Sequence, residues 1–289
     1  MGGMENFDQL INKMTCVAEE SATYKKIAMY IERNYLQIIF MTAGELADKL
    51  DISQGSVSRF FIALGYRGYS DFLRNLQHLV SERLTAPQRI RYSKQHRQED
   101  NPLRTIIDVE IANFDELMNI MHGASYDMLV DMMASKKQLV LISARMSATI
   151  LPYIVYILNK MRPDVMQITP DLPGWESLEL KNPEKTNIIA VMFPRYPNAL
   201  VKKCMALKNR GFHLCGVTDS RFSPVTSCCD STIFVPVTVS SVFDIYSTPI
   251  AFFNLAMRDA AKKMPWLDQR MKFIEKIECE NDVYYQKTY

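Results

Sequence analysis

A short run of small and polar side chains offers chemistry suited to a nucleic acid. The run groups hydroxyl, amide and guanidinium side chains around a glycine: Ser53, Gln54, Gly55, Ser56, Ser58 and Arg59. An amide such as that of Gln54 can pair with the edge of an adenine, and a guanidinium such as that of Arg59 can bond a guanine or a phosphate. The small residues between them permit close approach to a groove. The run is therefore a candidate for reading DNA.

Two helices must present these side chains, and the stretch from Thr42 to Leu64 predicts both. Thr42 and Glu45 have the spacing of a capping box at the start of the first helix, and Ser53 is placed to cap the second. Apolar residues on both sides of a turn at Asp51 form one shared face: Leu46, Ala47, Leu50, Ile52, Val57, Phe60, Phe61 and Leu64. The pattern predicts a helix-turn-helix, although such turns commonly have glycine at the position of Asp51. The alternative is an ordinary helical hairpin whose polar residues face water.

A second set of polar residues follows short apolar runs later in the chain. Arg145 comes after the first run and Arg195 after the third, each near an expected helix start, and such a position suits an anion. The predicted ligand-binding set is Ser143, Arg145, Ser147, Arg195, Tyr196, Asn198 and Asp219. In open parallel sheets, ligands bind beyond the carboxyl ends of the strands. Two arginines at matched strand ends therefore predict an anionic ligand, whereas either one alone is typical of a surface charge.

The spacing of apolar residues predicts different folds for the two parts of the chain. Before residue 82, apolar side chains recur at helical spacing, as in Tyr24, Ile27 and Ile31. From Gln138 onward, strand-sized runs alternate with amphipathic stretches, which predicts parallel β-α-β units. These runs are Leu139–Ile142, Val165–Ile168, Ile188–Phe193, Phe212–Val217 and Ile233–Val235. We expect an all-α helix-turn-helix domain over 1–82, a linker over 83–102, and an α/β three-layer sandwich with a parallel sheet over 103–289.

The run ELADKLDISQGSVSRFFIALGYRGYSDFLRNL closely resembles the N-terminal helix-turn-helix of the RpiR type of bacterial transcriptional regulators. In that family a serine-rich recognition helix is followed by an LG-aromatic-x-G-aromatic-x-x-F signature, which here runs from Leu64 to Phe72. With the residue types above, the resemblance predicts a DNA-binding surface of Thr42, Ser53, Gln54, Gly55, Ser56, Ser58, Arg59 and Arg67. It implies a sugar isomerase (SIS) fold for the second domain, an α/β sandwich that usually binds phosphosugars.

The SIS resemblance covers roughly residues 125–263, but the ligand loops depart from the family pattern. The usual first loop is glycine-rich with a serine, and only Ser147 remains of it. The usual third loop is a serine-glycine-threonine cradle, and here it is Pro194–Asn198. Arginine supplies charge where glycine and hydroxyl groups are missing. A phosphosugar is the expected ligand, and other anionic metabolites fit the same residues.

Composition and charge exclude several classes of protein. With 48% hydrophobic and 23% charged residues, the 289-residue chain is typical of a globular protein of about two domains. Its apolar runs stop short of the roughly 20 residues of a membrane-spanning helix, and its N-terminus lacks the features of a signal peptide, so we expect a cytoplasmic protein. The six cysteines lack metal or redox spacing and are expected to be reduced and structural, with no cofactor and no metal.

The net charge of +2 is unevenly distributed along the chain. Up to Arg97 there are 13 Lys and Arg against 10 Asp and Glu, and the remainder has 21 against 22. The predicted linker is itself basic, with Arg83, Arg89, Arg91, Lys94 and Arg97. A basic segment beside a DNA-binding unit favours contact with a nucleic acid, although such runs are more often simply solvated.

These features together predict a regulator of carbohydrate metabolism genes that binds a double-stranded DNA operator and senses a phosphosugar or similar anion. We expect a homo-oligomer, a dimer or a tetramer, because most operators are symmetric. The alternatives are an SIS-fold phosphosugar isomerase and a noncatalytic sugar-phosphate-binding module. An isomerase needs a positioned carboxylate or histidine. Asp219 and Asp244 lie near the expected ligand end, but the four histidines are scattered, so no catalytic residue is assigned and no enzyme is expected.

Overall fold

The computed structural model describes residues 7–39, 41–81, 102–221, 223–238 and 243–285. The predicted basic linker lies outside these residues, except for its last position. The chain divides into two compact units. The head unit is Met1–Ile106 with Val239–Asp244, and the sheet unit is Ile107–Thr238 with Ile245–Tyr289.

Amphipathic helices form the described part of the head unit. They are α1 (Phe7–Ala18), α2 (Ala22–Ile38), α3 (Ala43–Lys49), α4 (Gln54–Ala63) and α5 (Tyr69–Ser81). Their apolar faces meet in one core, in which Leu10, Ile31, Phe61 and Leu76 are fully buried. Aromatic rings fill the centre, with the Phe61 and Phe72 centroids 4.3 Å apart. The helical character predicted for this part of the chain is confirmed.

Five parallel strands form the sheet in the order β2-β1-β3-β4-β5. They are β1 (Gln138–Ile142), β2 (Val165–Ile168), β3 (Thr186–Met192), β4 (His213–Thr218) and β5 (Ser231–Phe234). Ile142 of β1 lies opposite Ile168 of β2 on one side and Ala190 of β3 on the other. The central strand β3 is buried along its whole length, as a strand covered on both faces must be. All five predicted strands are present.

Helices cover both faces of this sheet. They are α7 (Ala124–Ala134), α8 (Leu151–Met161), α9 (Asn198–Asn209) and α10 (Ser247–Lys262), with α6 (Pro102–Ile120) before them and α11 (Leu267–Glu280) after. Because alternate strand residues point to opposite faces, Leu139 and Leu141 join the core with α7, α8 and α10. Val140 and Ile142 join a separate core with α9. The predicted three-layer α/β sandwich is confirmed. None of the helices in the described chain combines the length and the apolar character needed to cross a membrane.

Four of the six cysteines are buried inside the sheet unit. Burial raises the pKa of the Cys204 thiol to about 12 and that of Cys215 to about 11, so neither is an effective nucleophile. Cys228 and Cys229 are buried as well. The remaining two, Cys16 and Cys279, are exposed.

Candidate functional sites

Both helices of the candidate DNA-reading pair begin at the predicted caps. The Thr42 hydroxyl accepts the Glu45 amide at 3.1 Å, and the Glu45 carboxylate accepts the Thr42 amide at 2.7 Å, which completes the capping box of α3. The Ser53 hydroxyl accepts the Ser56 amide at 3.1 Å at the start of α4. These bonds satisfy amides that a helix start leaves without intrahelical partners. The start of α4 is therefore fixed by its own sequence.

The turn between α3 and α4 depends on an unusual backbone conformation at Asp51. The Ile52 amide donates to the Ala47 carbonyl at 3.0 Å, and the Asp51 amide donates to the Asp48 carbonyl at 3.2 Å. This bonding pattern requires a left-handed residue, and Asp51 has a φ of +49°. A residue with a β-carbon costs roughly 1 kcal/mol there, although aspartate is among the residues that tolerate it best. Asp51 thus takes the position that glycine usually fills.

The outer face of α4 presents three of the predicted DNA-binding residues, Gln54, Gly55 and Arg59, to solvent. Val57, Phe60 and Phe61 are buried on the inner face. The exposed predicted residues are Thr42, Ser53, Gln54, Gly55, Arg59 and Arg67, while Ser56 and Ser58 are half-buried. The Arg59 guanidinium lies 3.4 Å from the Ser56 hydroxyl, to which it donates. Within α4, the structure therefore leaves the amide of Gln54 and the guanidinium of Arg59 exposed, beside two half-buried hydroxyls.

Gly44 of α3 lies close to Gln54, a proximity that the sequence pattern did not reveal. A β-carbon at Gly44 would lie 2.8 Å from the side-chain nitrogen Nε2 of Gln54. Because this atom is the end of a flexible, exposed side chain, Gln54 could move to make room for it. A glycine inside a short helix gives no sign of this in sequence, because the contact joins residues ten positions apart.

The LG-aromatic signature forms the end of α4 and the turn that follows it. Gly65 has a φ of +88°, and the Tyr66 amide donates to the Phe61 carbonyl at 3.0 Å, which ends the helix. The chain then turns, and the Arg67 amide donates to the Asp71 carboxylate at 3.0 Å while the Arg67 side chain remains exposed. The signature therefore sets the backbone direction after α4.

Tyr69, the second aromatic residue of the signature, is a core residue. Its hydroxyl donates to the Met41 carbonyl at 2.7 Å, in the connection between α2 and α3. Burial raises the pKa of the Tyr69 phenol well above its ordinary value, so the group stays neutral and keeps this donated bond. Tyr69 thus holds the chain that enters α3.

In the sheet unit, the predicted arginines follow the two strands at the topological switch point. The chain crosses from β1 to β2 on one side and continues to β3 on the other, and the crevice at such a point is the usual ligand position in open parallel sheets. Arg145 follows β1 and Arg195 follows β3, and both side chains are exposed. Both residues have a left-handed backbone conformation, with φ of +59° for Arg145 and +68° for Arg195. Two strained arginines therefore stand at the ends of neighbouring strands.

The predicted serines at this edge are buried and already hydrogen-bonded. The Ser143 hydroxyl donates to the Val191 carbonyl at 2.7 Å, and Ser143 has no exposed surface. The Ser147 hydroxyl accepts the Phe193 amide at 3.0 Å, and Ser147 is 3% exposed. Both bonds join the loop after β1 to β3. The hydroxyls expected to face a ligand thus hold the two strand ends together.

The loops after β3 and β4 are also joined. The Tyr196 hydroxyl donates to the Asp219 carboxylate at 2.9 Å, and the Thr218 hydroxyl donates to the same oxygen at 3.3 Å. Asn198 is exposed as the first residue of α9, and its preceding residue, Pro197, makes no side-chain cap. The first turn of α9 therefore keeps amides that a side chain does not cap, next to Arg195.

Tyr246, just before α10, also reaches this edge. Its hydroxyl lies 3.5 Å from the Ser147 hydroxyl, and its ring packs against Phe193 with centroids 5.3 Å apart. Tyr246 lies about 100 residues from Ser147 in sequence, so only the fold brings them together. In the part of the chain that the structure describes, no group of three His, Cys, Asp or Glu residues is arranged to hold a metal ion.

Comparison with known proteins agrees with both halves of this description. Residues 5–83 match the model of the helix-turn-helix domain of the rpiR family. The chain is similar to the Vibrio vulnificus NanR protein complexed with ManNAc-6P, with 15% identity over 94% of this chain and 98% of that chain and a TM-score of 0.52. It is also similar to the sugar isomerase domain of an RpiR transcription factor from Sphaerobacter thermophilus, with 16% identity over 61% of this chain and 97% of that chain and a TM-score of 0.55.

At these identities the two structures show the fold of the sheet unit, which is SIS-like, and the predicted RpiR resemblance is confirmed. A sequence comparison with curated proteins finds no match.

Proposed function

We propose that the protein is a DNA-binding transcriptional regulator that senses an anionic metabolite, most specifically a phosphosugar, and the match of residues 5–83 to the helix-turn-helix domain of the rpiR family supports this proposal. The observation that carries the proposal is the exposed polar face of α4, which begins at a Ser53 cap and presents Gln54 and Arg59. The regulated genes would be those of carbohydrate metabolism, and the protein would act in the cytoplasm.

On DNA, α4 would enter the major groove with its N-terminal end first. Gln54 has the amide geometry for an adenine edge, and Arg59 has the fork for a guanine or a phosphate. Thr42, Ser53 and Arg67 flank them and are exposed, so we assign these residues to the phosphate backbone. Gly55 and the hydroxyls of Ser56 and Ser58 would allow α4 to lie close to the base pairs.

In the sheet unit, we assign the anion to the edge formed by β1 and β3. Arg145 and Arg195 would bind its charge, with Asn198 and the first turn of α9 beside them. An arginine in the left-handed backbone conformation costs about 1 to 3 kcal/mol relative to one in an ordinary conformation, and such strain is concentrated at functional sites. Ser143 and Ser147 would support this surface from behind, and the Tyr196–Asp219 pair would form one wall. ManNAc-6P in the Vibrio vulnificus NanR complex is an anion of the class proposed.

We propose that the protein assembles as a homo-oligomer, with α6 as a contact helix. Four large apolar residues of α6 are 40% to 67% exposed, and their 4-3-4 spacing is that of a helix-pairing seam: Ile107, Ile111, Phe114 and Met118. Two heads in a symmetric assembly would match a two-fold symmetric operator. A ligand that binds one arrangement of the assembly better than another would then change DNA affinity, and DNA would change ligand affinity by the same factor.

We further propose that the sheet unit is a sensor without isomerase activity. Proton transfer in an isomerase requires a carboxylate or histidine that is open to the substrate. The candidate carboxylate Asp219 accepts hydrogen bonds from Tyr196 and Thr218 through one oxygen, which is typical of a structural link between loops. Turnover of any aldose or ketose phosphate by the wild-type chain, lost in Asp219→Asn, would instead support the isomerase.

The decisive experiment is recovery of fragmented genomic DNA by the purified full-length protein, followed by sequencing. The expected result is enrichment of one two-fold symmetric site, and the genes beside it would indicate the metabolite. The matched control is a Gln54→Ala/Arg59→Ala double variant, which alters two exposed side chains and leaves the core of the head intact. Equal recovery by both proteins, or no enriched site with folded wild-type protein, would refute the DNA-binding role of α4.

A further inference from the structure

Glu110 of α6 is a buried carboxylate, and one of its oxygens has no hydrogen-bond partner among the described residues. The residue is 9% exposed. Its Oε2 accepts hydrogen bonds from the hydroxyls of Ser247 and Thr248, the latter at 3.1 Å. Its Oε1 is buried and has no hydrogen-bond partner among the residues that the structure describes. A buried polar atom left without a partner costs roughly 1 to 3 kcal/mol, more when the group is charged, so this oxygen requires an explanation.

Ser247 and Thr248 are the first two residues of α10, so Glu110 lies at the start of that helix. A carboxylate there is stabilised by the helix dipole and occupies the position where an anion would otherwise bind. The negative charge of Glu110 would repel a phosphate from this helix start. The start of α10 therefore suits the hydrogen-bond donors of a ligand, while the charge of an anion belongs at the arginines.

The carboxylate also lies next to the elements that form the β1/β3 edge. Tyr246 immediately precedes Ser247, and Tyr246 touches both Ser147 and Phe193. Ser147 is two residues after Arg145, and Phe193 is two residues before Arg195. A short series of direct contacts thus joins Glu110 to the loops that carry both arginines.

We propose that Glu110 is a ligand-reading residue, whose free oxygen accepts a hydrogen bond from a hydroxyl or ammonium group of the anion held by Arg145 and Arg195. The inference rests on the proposed sensor function and specifies it further. A ligand must carry a negative charge at one end and a donor group at the other, as a phosphosugar or amino sugar phosphate does. A simple anion would use the arginines alone.

The test compares the affinity of the full-length protein for inorganic phosphate with its affinity for ManNAc-6P, glucosamine 6-phosphate and glucose 6-phosphate, by titration calorimetry. The wild type is expected to bind at least one sugar phosphate more tightly than phosphate. In Glu110→Gln, that preference should fall by about 10-fold or more, because a neutral amide replaces the charged acceptor of the hydrogen bond, while phosphate affinity should stay unchanged. The matched control is Glu116→Gln, an exposed glutamate on the same helix, which should leave both affinities unchanged.

Other variants separate this role from a structural one. Arg195→Ala should weaken the binding of phosphate and of sugar phosphates alike. Ser247→Ala removes one hydrogen bond that holds the Glu110 carboxylate, so it should weaken the binding of sugar phosphates only. This variant keeps the test informative if Glu110→Gln does not fold. Wild-type preference in folded Glu110→Gln, or equal loss of phosphate and sugar phosphate, would overturn the role of Glu110. A wild type that binds phosphate without preferring any sugar phosphate would also overturn it, and one that binds none of these anions would refute the sensor site itself.

Discussion

Serine residues have opposite roles in the two units of this protein. In the head unit, Ser53 caps α4 and stays exposed, so its hydroxyl is placed by local sequence and remains near the surface that would meet DNA. At the sheet edge, Ser143 and Ser147 are buried and bond to residues almost 50 positions away in sequence. A hydroxyl near a candidate site is therefore not necessarily a ligand contact. Its partner decides whether it supports the site or forms it.

The largest effect that this comparison predicts concerns Ser147. In Ser147→Ala, the Phe193 amide would remain buried without its partner, which costs about 1 to 3 kcal/mol. We expect the free energy of unfolding of the sheet unit to fall by that amount in denaturant titration. Ser147→Thr, which keeps the hydroxyl, is the companion variant. A wild-type value for Ser147→Ala would show that this bond is not needed to hold the strand ends.

The next largest effect concerns Arg59, an exposed residue of the head unit. Arg59→Ala should weaken binding to the enriched operator by about 1 to 3 kcal/mol if the guanidinium reads a base. Stability should hardly change, because Arg59 is exposed and its hydrogen bond to Ser56 is long. Fluorescence anisotropy with operator and with scrambled DNA measures both affinities. Equal losses on the two DNAs would assign Arg59 to a phosphate instead.

Ser53→Ala should have a smaller effect that is felt in both stability and DNA binding. Loss of an N-cap costs roughly 1 kcal/mol of stability, because the Ser56 amide loses its partner. Ser53→Asp keeps a capping acceptor and should restore the unfolding free energy. It adds a negative charge where we expect a phosphate, so it should still weaken operator binding. Full operator affinity in Ser53→Asp would exclude Ser53 from the DNA surface.

The smallest effects on stability are expected where glycine replaces a residue with a left-handed backbone conformation, Asp51 in the head unit or Arg195 in the sheet unit. Asp51→Gly removes a strained β-carbon at a turn that needs φ of +49°, so we expect a change in unfolding free energy of less than about 1 kcal/mol and normal operator binding. Arg195→Gly relieves the same kind of strain at φ of +68° and should be equally mild for stability. It should nevertheless abolish anion binding in calorimetry. Retained anion binding in Arg195→Gly would show that the Arg195 side chain is not needed to bind the anion.

Much of the head unit could be predicted because its signals are local. The capping box at Thr42, the Ser53 cap and the apolar face shared by α3 and α4 all lie within one short stretch, and each confirmed feature depends on residues a few positions apart. Gly44 escaped prediction because its contact with Gln54 crosses from one helix to the next. The same limit applies more strongly to the sheet unit, where strands were predicted from apolar runs but their order was not.

The sequence by itself determined the helical character of the head and the five strands of the sheet, since helical and strand periodicities are properties of neighbouring residues. It also determined the family resemblance of the head, because that signature is continuous. Only the tertiary structure placed β1 beside β3, and so brought Arg145 and Arg195 to one switch point. It buried Ser143 and Ser147 and brought Glu110 to the start of α10. These contacts join residues from about 50 to about 140 positions apart, and the packing of whole layers, which no local pattern records, decides them.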